Sequence, residues 1–237
     1  MANPEQTEKS FRWFFVITAI FITTLVVSNI IAVKLIQLGP FTLPAGVLVF
    51  PITYIFGDIL TEVYGYAHAR RVIWTGFLCN VLAVGAIWLA IQLPGAPYWR
   101  LIYFDNSASA QQAFAAVLGF APRLLTASFI AYLVGEFLNS YVLAKMKIRT
   151  GGRFLWMRTI GSTIVGEGAD SFLFIFLAFG GVFPVVALWE TFLGQWVFKT
   201  SYEALLTPLT YGVVQFLKKS EGVDVFDYST RFNPLKF

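Results

Sequence analysis

Six long apolar runs constrain this chain more than any other feature, at about residues 12–38, 45–66, 70–93, 122–146, 156–180 and 183–206. A run of 18 or more largely apolar residues is long enough to cross the roughly 30 Å hydrocarbon core of a bilayer as a helix. Composition agrees: 57% of the 237 residues are hydrophobic and 13% are charged, against roughly 25% charged in soluble domains. A soluble core of this size could not hide so much apolar surface. The expectation is an all-α integral membrane protein with six transmembrane helices. They form one domain over residues 1–219, and residues 220–237 read as an exposed cytoplasmic tail. The polar first ten residues precede a run too long for a signal-peptide core, so the first helix is read as retained. Pro94, Gly95 and Pro97 end the third run, and residues 94–121 form the one long connection, with a short surface helix expected over 107–120. The sixth run continues past Thr207-Pro208 to Lys219, so a kink or a turn into an interfacial segment is expected at the proline.

The formal charge is +4, from 17 basic and 13 acidic residues. A basic excess can point to nucleic acid, but here it sits in short clusters between the apolar runs, which excludes that partner. The positive-inside rule accounts for it instead. With the N-terminus in the cytoplasm, 13 of the 17 basic residues flank the inner side, among them Arg70, Arg71, Lys147, Arg158 and Lys218. Only Arg100 falls outside. An even number of spans then puts both termini in the cytoplasm. The lone Cys79 can form no intrachain disulfide and reads as a small buried hydrophobe. The only histidine, His68, sits at the cytoplasmic rim. No metal and no cofactor are expected, and the absence of a Walker sequence means the chain does not hydrolyse ATP.

Within the spans lie seven acids, Asp58, Glu62, Glu136, Glu167, Asp170, Glu190 and Glu203, against three bases, Lys34, Arg123 and Lys199. A charge at the centre of a membrane helix costs about 2.5–3.5 kcal/mol on insertion scales, so each is a functional hypothesis. Glu62, Glu190 and Glu203 lie nearer span ends, from where they can reach the interface. Asp58, Glu136, Glu167 and Asp170 lie near mid-span. Four-residue steps place Tyr54, Asp58 and Glu62 on one helix face, and likewise Ser162, Gly166 and Asp170 on another. A third face carries Thr191, Gln195, Lys199 and Glu203. A fourth carries Ser128, Tyr132, Glu136 and Ser140, beside a small-residue stripe of Ala127, Ala131 and Gly135 that reads as a helix-packing seam. Interhelical hydrogen bonding can absorb the hydroxyls but not so many carboxylates. A polar cavity is expected, with Asp58, Asp170 and Lys199 converging from the second, fifth and sixth spans. The acid surplus suggests that Asp58, Glu167 or Asp170 exchanges a proton, and a facilitator is the alternative.

Carboxylates accept paired N–H donors, Lys199 and Gln195 offer donors to a carbonyl, and Trp196, Phe198, Tyr202, Phe172 and Phe176 supply flat faces. This inventory suits a planar, amide-bearing heterocycle. Two mid-span aspartates would also suit an intramembrane aspartyl protease, whose carboxylates share a proton. Its glycine-any-glycine-aspartate signature, however, is interrupted by an extra residue in Gly166-Glu167-Gly168-Ala169-Asp170. No filter-like segment supports a channel. The chain is not expected to be an enzyme.

Ser28-Asn29, Ala45-Gly46, Phe50-Pro51-Ile52-Thr53-Tyr54, Gly57-Asp58-Ile59-Leu60-Thr61-Glu62-Val63-Tyr64-Gly65 and Ala69-Arg70-Arg71 resemble the queuosine-precursor transporter family, also called the vitamin uptake transporter family. The likeness continues through Thr126-Ala127-Ser128-Phe129, Tyr132, Gly166-Glu167-Gly168-Ala169-Asp170-Ser171, Phe198-Lys199, Pro208-Leu209 and Tyr211-Gly212. The resemblance implies six helices like those of the substrate-binding subunits of energy-coupling-factor transporters. It implies uptake of 7-cyano- and 7-aminomethyl-7-deazaguanines across the cytoplasmic (inner) membrane, by a chain acting alone. The alternative is a subunit of a larger ATP-driven complex. The family's polar positions fall on Asn29, Asp58, Arg123, Asp170 and Lys199. Together with Glu62, Glu167, Gln195 and Tyr202 from the polar faces, these are the candidate substrate-binding residues. The implied partners are a purine-like small molecule and the bilayer, and a homodimer is compatible with this reading.

Overall fold

The structure, a computed structural model, describes residues 11–38, 41–99, 104–119 and 122–235. Helices dominate: α1 (Phe14–Ile31), α2 (Phe50–Tyr64), α3 (Tyr66–Gln92), α4 (Ser107–Leu118), α5 (Pro122–Thr150), α6 (Leu155–Phe179) and α7 (Val185–Glu221). Among the described residues, three single helices are long and apolar enough to cross a membrane, Phe14–Ile31, Tyr66–Gln92 and Leu155–Phe179, and the stretch Ser107–Thr150, which holds α4 and α5, counts as a fourth. α2 has only 15 residues, a length of about 22 Å. α7 carries Glu190, Lys199 and Glu203 in its N-terminal half.

The chain is not purely α. The expected first span ends early, at Ile31, and the rest of its apolar run forms an antiparallel hairpin, β1 (Leu35–Leu38) with β2 (Phe41–Pro44), in the register Leu35↔Pro44 and Leu38↔Phe41. The amide of Ala45 donates to the Lys34 carbonyl at 2.7 Å and closes the hairpin base. Pro44 cannot extend a ladder beyond this point, and a short 3-10 turn, Ala45–Leu48, leads into α2. Residues 39–40, which join the strands, lie outside the described residues.

Exposure runs opposite to that of a soluble protein. Leu82 and Leu205 are 73% and 78% exposed, whereas Asp58, Glu62, Glu136, Glu167 and Glu203 are completely buried. Apolar side chains face the lipid, and charged ones face each other across the bundle. An apolar core still holds α1, α2, α3, α5 and α7 together through Phe21, Leu25, Ile59, Val63, Ile73, Tyr132 and Leu217. A second, aromatic cluster joins α6 to α7 through Ile175, Leu188 and Phe192. The expected packing seam is present. Ala127 and Ala131 are buried, and α5 and α6 form the most extensive helix pair. A Cβ on Gly166 would lie 2.6 Å from Asn139 Cβ, and one on Gly135 would lie 2.8 Å from Asp170 Cβ. Only glycine allows this approach.

Gly65 alone separates α2 from α3, at φ +83°. A side chain there would also meet Val225 Cγ1 at 2.6 Å, because the C-terminal segment packs against this joint. That segment is not the exposed terminus expected from its polarity. Asp227 is 3% exposed and accepts from the Tyr66 amide at 3.0 Å, while Arg70 donates to the carbonyls of Arg231 and Asn233 at 3.1 and 2.9 Å. α7 runs unbroken through Pro208 as one helix of 37 residues. The surface helix α4 appears where expected, with Asn106 capping it by accepting from the Ser109 amide at 2.9 Å.

Candidate functional site

A cavity of about 360 Å³ opens among the C-terminal ends of α1 and α6 and the N-terminal ends of α2, α5 and α7. That volume lies within the usual range for small-molecule sites. Lys199, on α7, forms its charged floor. The ammonium sits 2.7 Å from Glu167 Oε2 and 2.7 Å from Asp170 Oδ2, both on α6. It also lies 4.4 Å from the centroid of the Phe50 ring, a cation–π distance. Lys199 and Asp170 are each 5% exposed and both line the cavity, whereas Glu167 is fully buried behind them. The formal charges of one lysine and two carboxylates sum to −1 in this corner, and Glu167 Oε1 has no hydrogen-bond partner among the described residues.

Gln195, one turn before Lys199, also lines the cavity, and its Nε2 is buried without a partner among the described residues. An unpaired buried amide donor carries a desolvation cost of about 1–3 kcal/mol, which a ligand carbonyl would remove. On the opposite wall Asn29 accepts from Ser128 Oγ at 3.1 Å, which leaves the Asn29 amide nitrogen to donate. Phe50, Phe174 and Phe179 supply the flat apolar faces. The site therefore offers a carboxylate, two amide groups, an ammonium and aromatic faces around one space.

Of the nine candidate residues, four line this cavity: Asn29, Asp170, Gln195 and Lys199. Glu167 stands behind them as the second partner of Lys199. The other four lie elsewhere. Asp58 is fully buried between α2 and α5, where it accepts from Asn139 Nδ2 at 2.7 Å. Its second oxygen, both oxygens of Glu136 and both of Glu203 have no hydrogen-bond partner among the described residues. Arg123 is exposed and caps α6: its Nε donates to the Leu177 carbonyl at 2.8 Å and a terminal nitrogen donates to the Gly180 carbonyl. Tyr202 packs at the edge of the apolar core, with Phe198 as its ring neighbour.

Glu62 belongs to a different site at the other end of the bundle. Its Oε1 faces Lys218 at 2.6 Å, Arg158 at 2.8 Å and Lys147 at 3.6 Å. Neither Glu62 nor Glu203 reaches an interface as the expected snorkelling required, because both are wholly buried. Glu190 is exposed.

The aromatic lining differs from the expected one. Phe172 and Phe176 pack at a tilt with centroids 4.5 Å apart and both lie against Trp189, and Trp196 donates to the Ile164 carbonyl at 2.9 Å. These hold α6 to α7. The cavity uses Phe50 and Phe174, which continue the polar faces by one four-residue step each, before Tyr54 and after Asp170. Extending those faces past their last polar residue was the available signal.

Known proteins bear on the same conclusion. The Bacillus subtilis "Probable queuosine precursor transporter" is 27% identical over 83% of this chain and 82% of its own length. The Escherichia coli "Queuosine precursor transporter" is 25% identical over 73% of this chain and 71% of its own. The Haemophilus influenzae "Probable queuosine precursor transporter" is 27% identical over 71% and 67%. No solved structure matches the fold. Residues 44–213, which carry α2 to most of α7 and with them Asp58, Asp170 and Lys199, match the family described as "Putative vitamin uptake transporter"; the chain is a multi-pass membrane protein belonging to that family of transporters.

Proposed function

We propose that this protein imports queuosine precursors, the 7-deazaguanines, across the cytoplasmic membrane, and that the cavity above Lys199 is where they bind. The names of the three bacterial relatives support the substrate class. The observation that carries the assignment is Lys199 held between Glu167 and Asp170 at the floor of an aromatic-walled cavity. A guanine-like edge presents an N–H and an amino group side by side, which a carboxylate accepts as a pair. Asp170 is the acid that lines the cavity. As the ligand's donors take Asp170, Lys199 stays neutralised by Glu167, and either its ammonium or the free Gln195 amide donates to the ring carbonyl. Phe50, Phe174 and Phe179 stack on the ring. A cationic aminomethyl group would be held by the negative charge of the corner.

Six spans with both termini in the cytoplasm complete the proposal, supported by the thirteen-to-one charge asymmetry. α2 and α7 supply the two spans that length and hydropathy alone do not mark. Reporter fusions at Phe41 and Gly181 should then read outside and at Gly151 inside. Import is proton-coupled in this reading, with Asp58, Glu167 or Asp170 exchanging the proton, because Glu167 and Asp170 share a single lysine and the second oxygen of Asp58 has no hydrogen-bond partner among the described residues. The test is uptake of labelled 7-deazaguanine into proteoliposomes containing this chain alone. Accumulation driven by an imposed pH gradient supports coupled, solitary transport. Equilibration that ignores the gradient identifies a facilitator, and absence of uptake overturns the solitary reading.

A further inference from the structure

We infer that the ion-pair network around Glu62, with residues 223–235 laid across it, is the closed gate through which cargo leaves toward the side bearing the termini, with Asp224 as its latch. This rests on the transport reading above and adds to it a place where the molecule opens.

The two ends of the bundle differ in what separates the interior from the outside. The cavity occupies the end formed by the tips of α1 and α6 and the starts of α2, α5 and α7. At the opposite end four helix termini converge on a single carboxylate: Glu62 from α2, Lys147 from α5, Arg158 from α6 and Lys218 from α7. The start of α1 is tied to the same end, where the Trp13 amide donates to Glu221 at 2.6 Å. A binding site open at one end must be released at the other, so these are the contacts that have to separate.

The network is graded from dry to wet. Glu62, Arg158 and Lys147 side chains are each 1% exposed, whereas Lys218 is 22% and Asp224 is 43% exposed. Asp224 lies 2.5 Å from Lys147 and 2.9 Å from Lys218, so it is a second acid for two of the three bases and the one that water can replace. Breaking an exposed pair costs little, and breaking a buried one costs much more. Opening therefore starts at Asp224 and moves inward. Asp224 also begins the strap. The next amide, Val225, donates to the Val63 carbonyl at 3.2 Å, and Lys147 donates to the Val225 carbonyl at 2.7 Å. Further along, Trp74 donates to the Pro234 carbonyl at 2.8 Å and Phe232 packs on Tyr66 with centroids 5.0 Å apart. Releasing the first link frees the segment from the joint between α2 and α3.

The test reads access to the interior from the side of the termini and uses no cargo. In full-length protein with Cys79→Ser, a reporter Ser140→Cys is placed on α5, where the native side chain is fully buried and accepts from Thr61 at 3.1 Å. Membrane vesicles are treated with a membrane-impermeant maleimide from each side in turn. Asp224→Asn and, separately, Lys218→Gln should raise labelling from the side of the termini by about two- to five-fold, the scale of one partly exposed ion pair. Asp224→Glu should restore the slow rate, and the melting temperature of Asp224→Asn and Lys218→Gln should fall only slightly, as the loss of one partly exposed ion pair requires. Unchanged labelling in both variants overturns the gate, as does a rise that is equal from both sides, which marks general loosening. Because no 7-deazaguanine is present, a gate that opens in protein that fails to take up that substrate would overturn the substrate reading and leave the gate standing.

Discussion

At one end of the bundle one base, Lys199, is shared by two acids beside a cavity, and at the other one acid, Glu62, is shared by three bases with the C-terminal segment packed over them. The arithmetic is inverted, and so is the consequence. A lysine with two carboxylates can lend one of them to a ligand and remain neutralised. A carboxylate with three cations has nothing to lend, since removing it strands like charges in a dry interior. The first arrangement suits exchange of partners and the second suits holding helices together until a gate opens.

The largest effect that would sharpen this contrast is at Glu62. Glu62→Ala should destabilise the protein by about 3–5 kcal/mol, because Arg158 is left buried without an acid and Lys147 keeps only the half-exposed Asp224. Thermal unfolding in detergent measures it. A variant that melts like the parent would show that the inner cluster does not hold the helices.

Asp170→Asn comes next, and it should act on binding instead. It removes one acceptor and turns an amide donor towards the ligand's own donors, a loss of roughly 1–3 kcal/mol, or about ten- to a hundredfold in affinity. Lys199→Met should cost a similar amount. Ligand titration of purified protein, with melting followed separately, distinguishes the two ends. If Asp170→Asn binds normally, the aspartate is only a structural partner of Lys199 and the cavity assignment fails.

A smaller, pH-dependent effect belongs to Asp224. Burial raises its acidity constant's pKa, but the hydrogen bonds and charges of Lys147 and Lys218 outweigh burial and hold the carboxyl below its ordinary value. A depressed carboxylate contributes stability that is fully present above its unfolded pKa, about 3.9, and is lost as pH falls through the lower folded value. Melting of the parent should therefore lose this increment only in strong acid, and Asp224→Asn, which cannot titrate, should lack it at every pH. Smallest of all, Glu190→Gln on the exposed face of α7 should change stability and binding by no more than about 0.5 kcal/mol.

Much of the candidate cavity was legible before any fold was known. Helical periodicity is a property of the chain itself, so the four-residue steps that placed Gln195 and Lys199 on one face, and Asp170 on another, hold in the structure. The cost of a charge in lipid then required those faces to point inward and to find opposite charges. What spacing along one helix cannot supply is the partner on the next. That Lys199 meets Glu167 and Asp170, while Asp58 meets Asn139 instead of the cavity, depends on the rotation and depth of each helix after packing. Gly135 and Gly166 set that depth by letting α5 and α6 approach closely.

Residues 35–44 illustrate the same limit: apolar content alone does not separate a strand pair from the end of a helix, and the pairing of Leu35 with Pro44 is what makes the hairpin. Residues 223–235 illustrate it again, because a polar tail reads as solvated until backbone partners such as Val63, Tyr66 and Arg70 are brought beneath it. Sequence alone determined that this chain enters a membrane, which residues line the polar faces of its helices and how many charges those faces must accommodate, since these follow from periodicity and solvation. Only the tertiary structure decided which charges neutralise one another and which end of the bundle is left open, because long-range pairing depends on where separate helices come to rest.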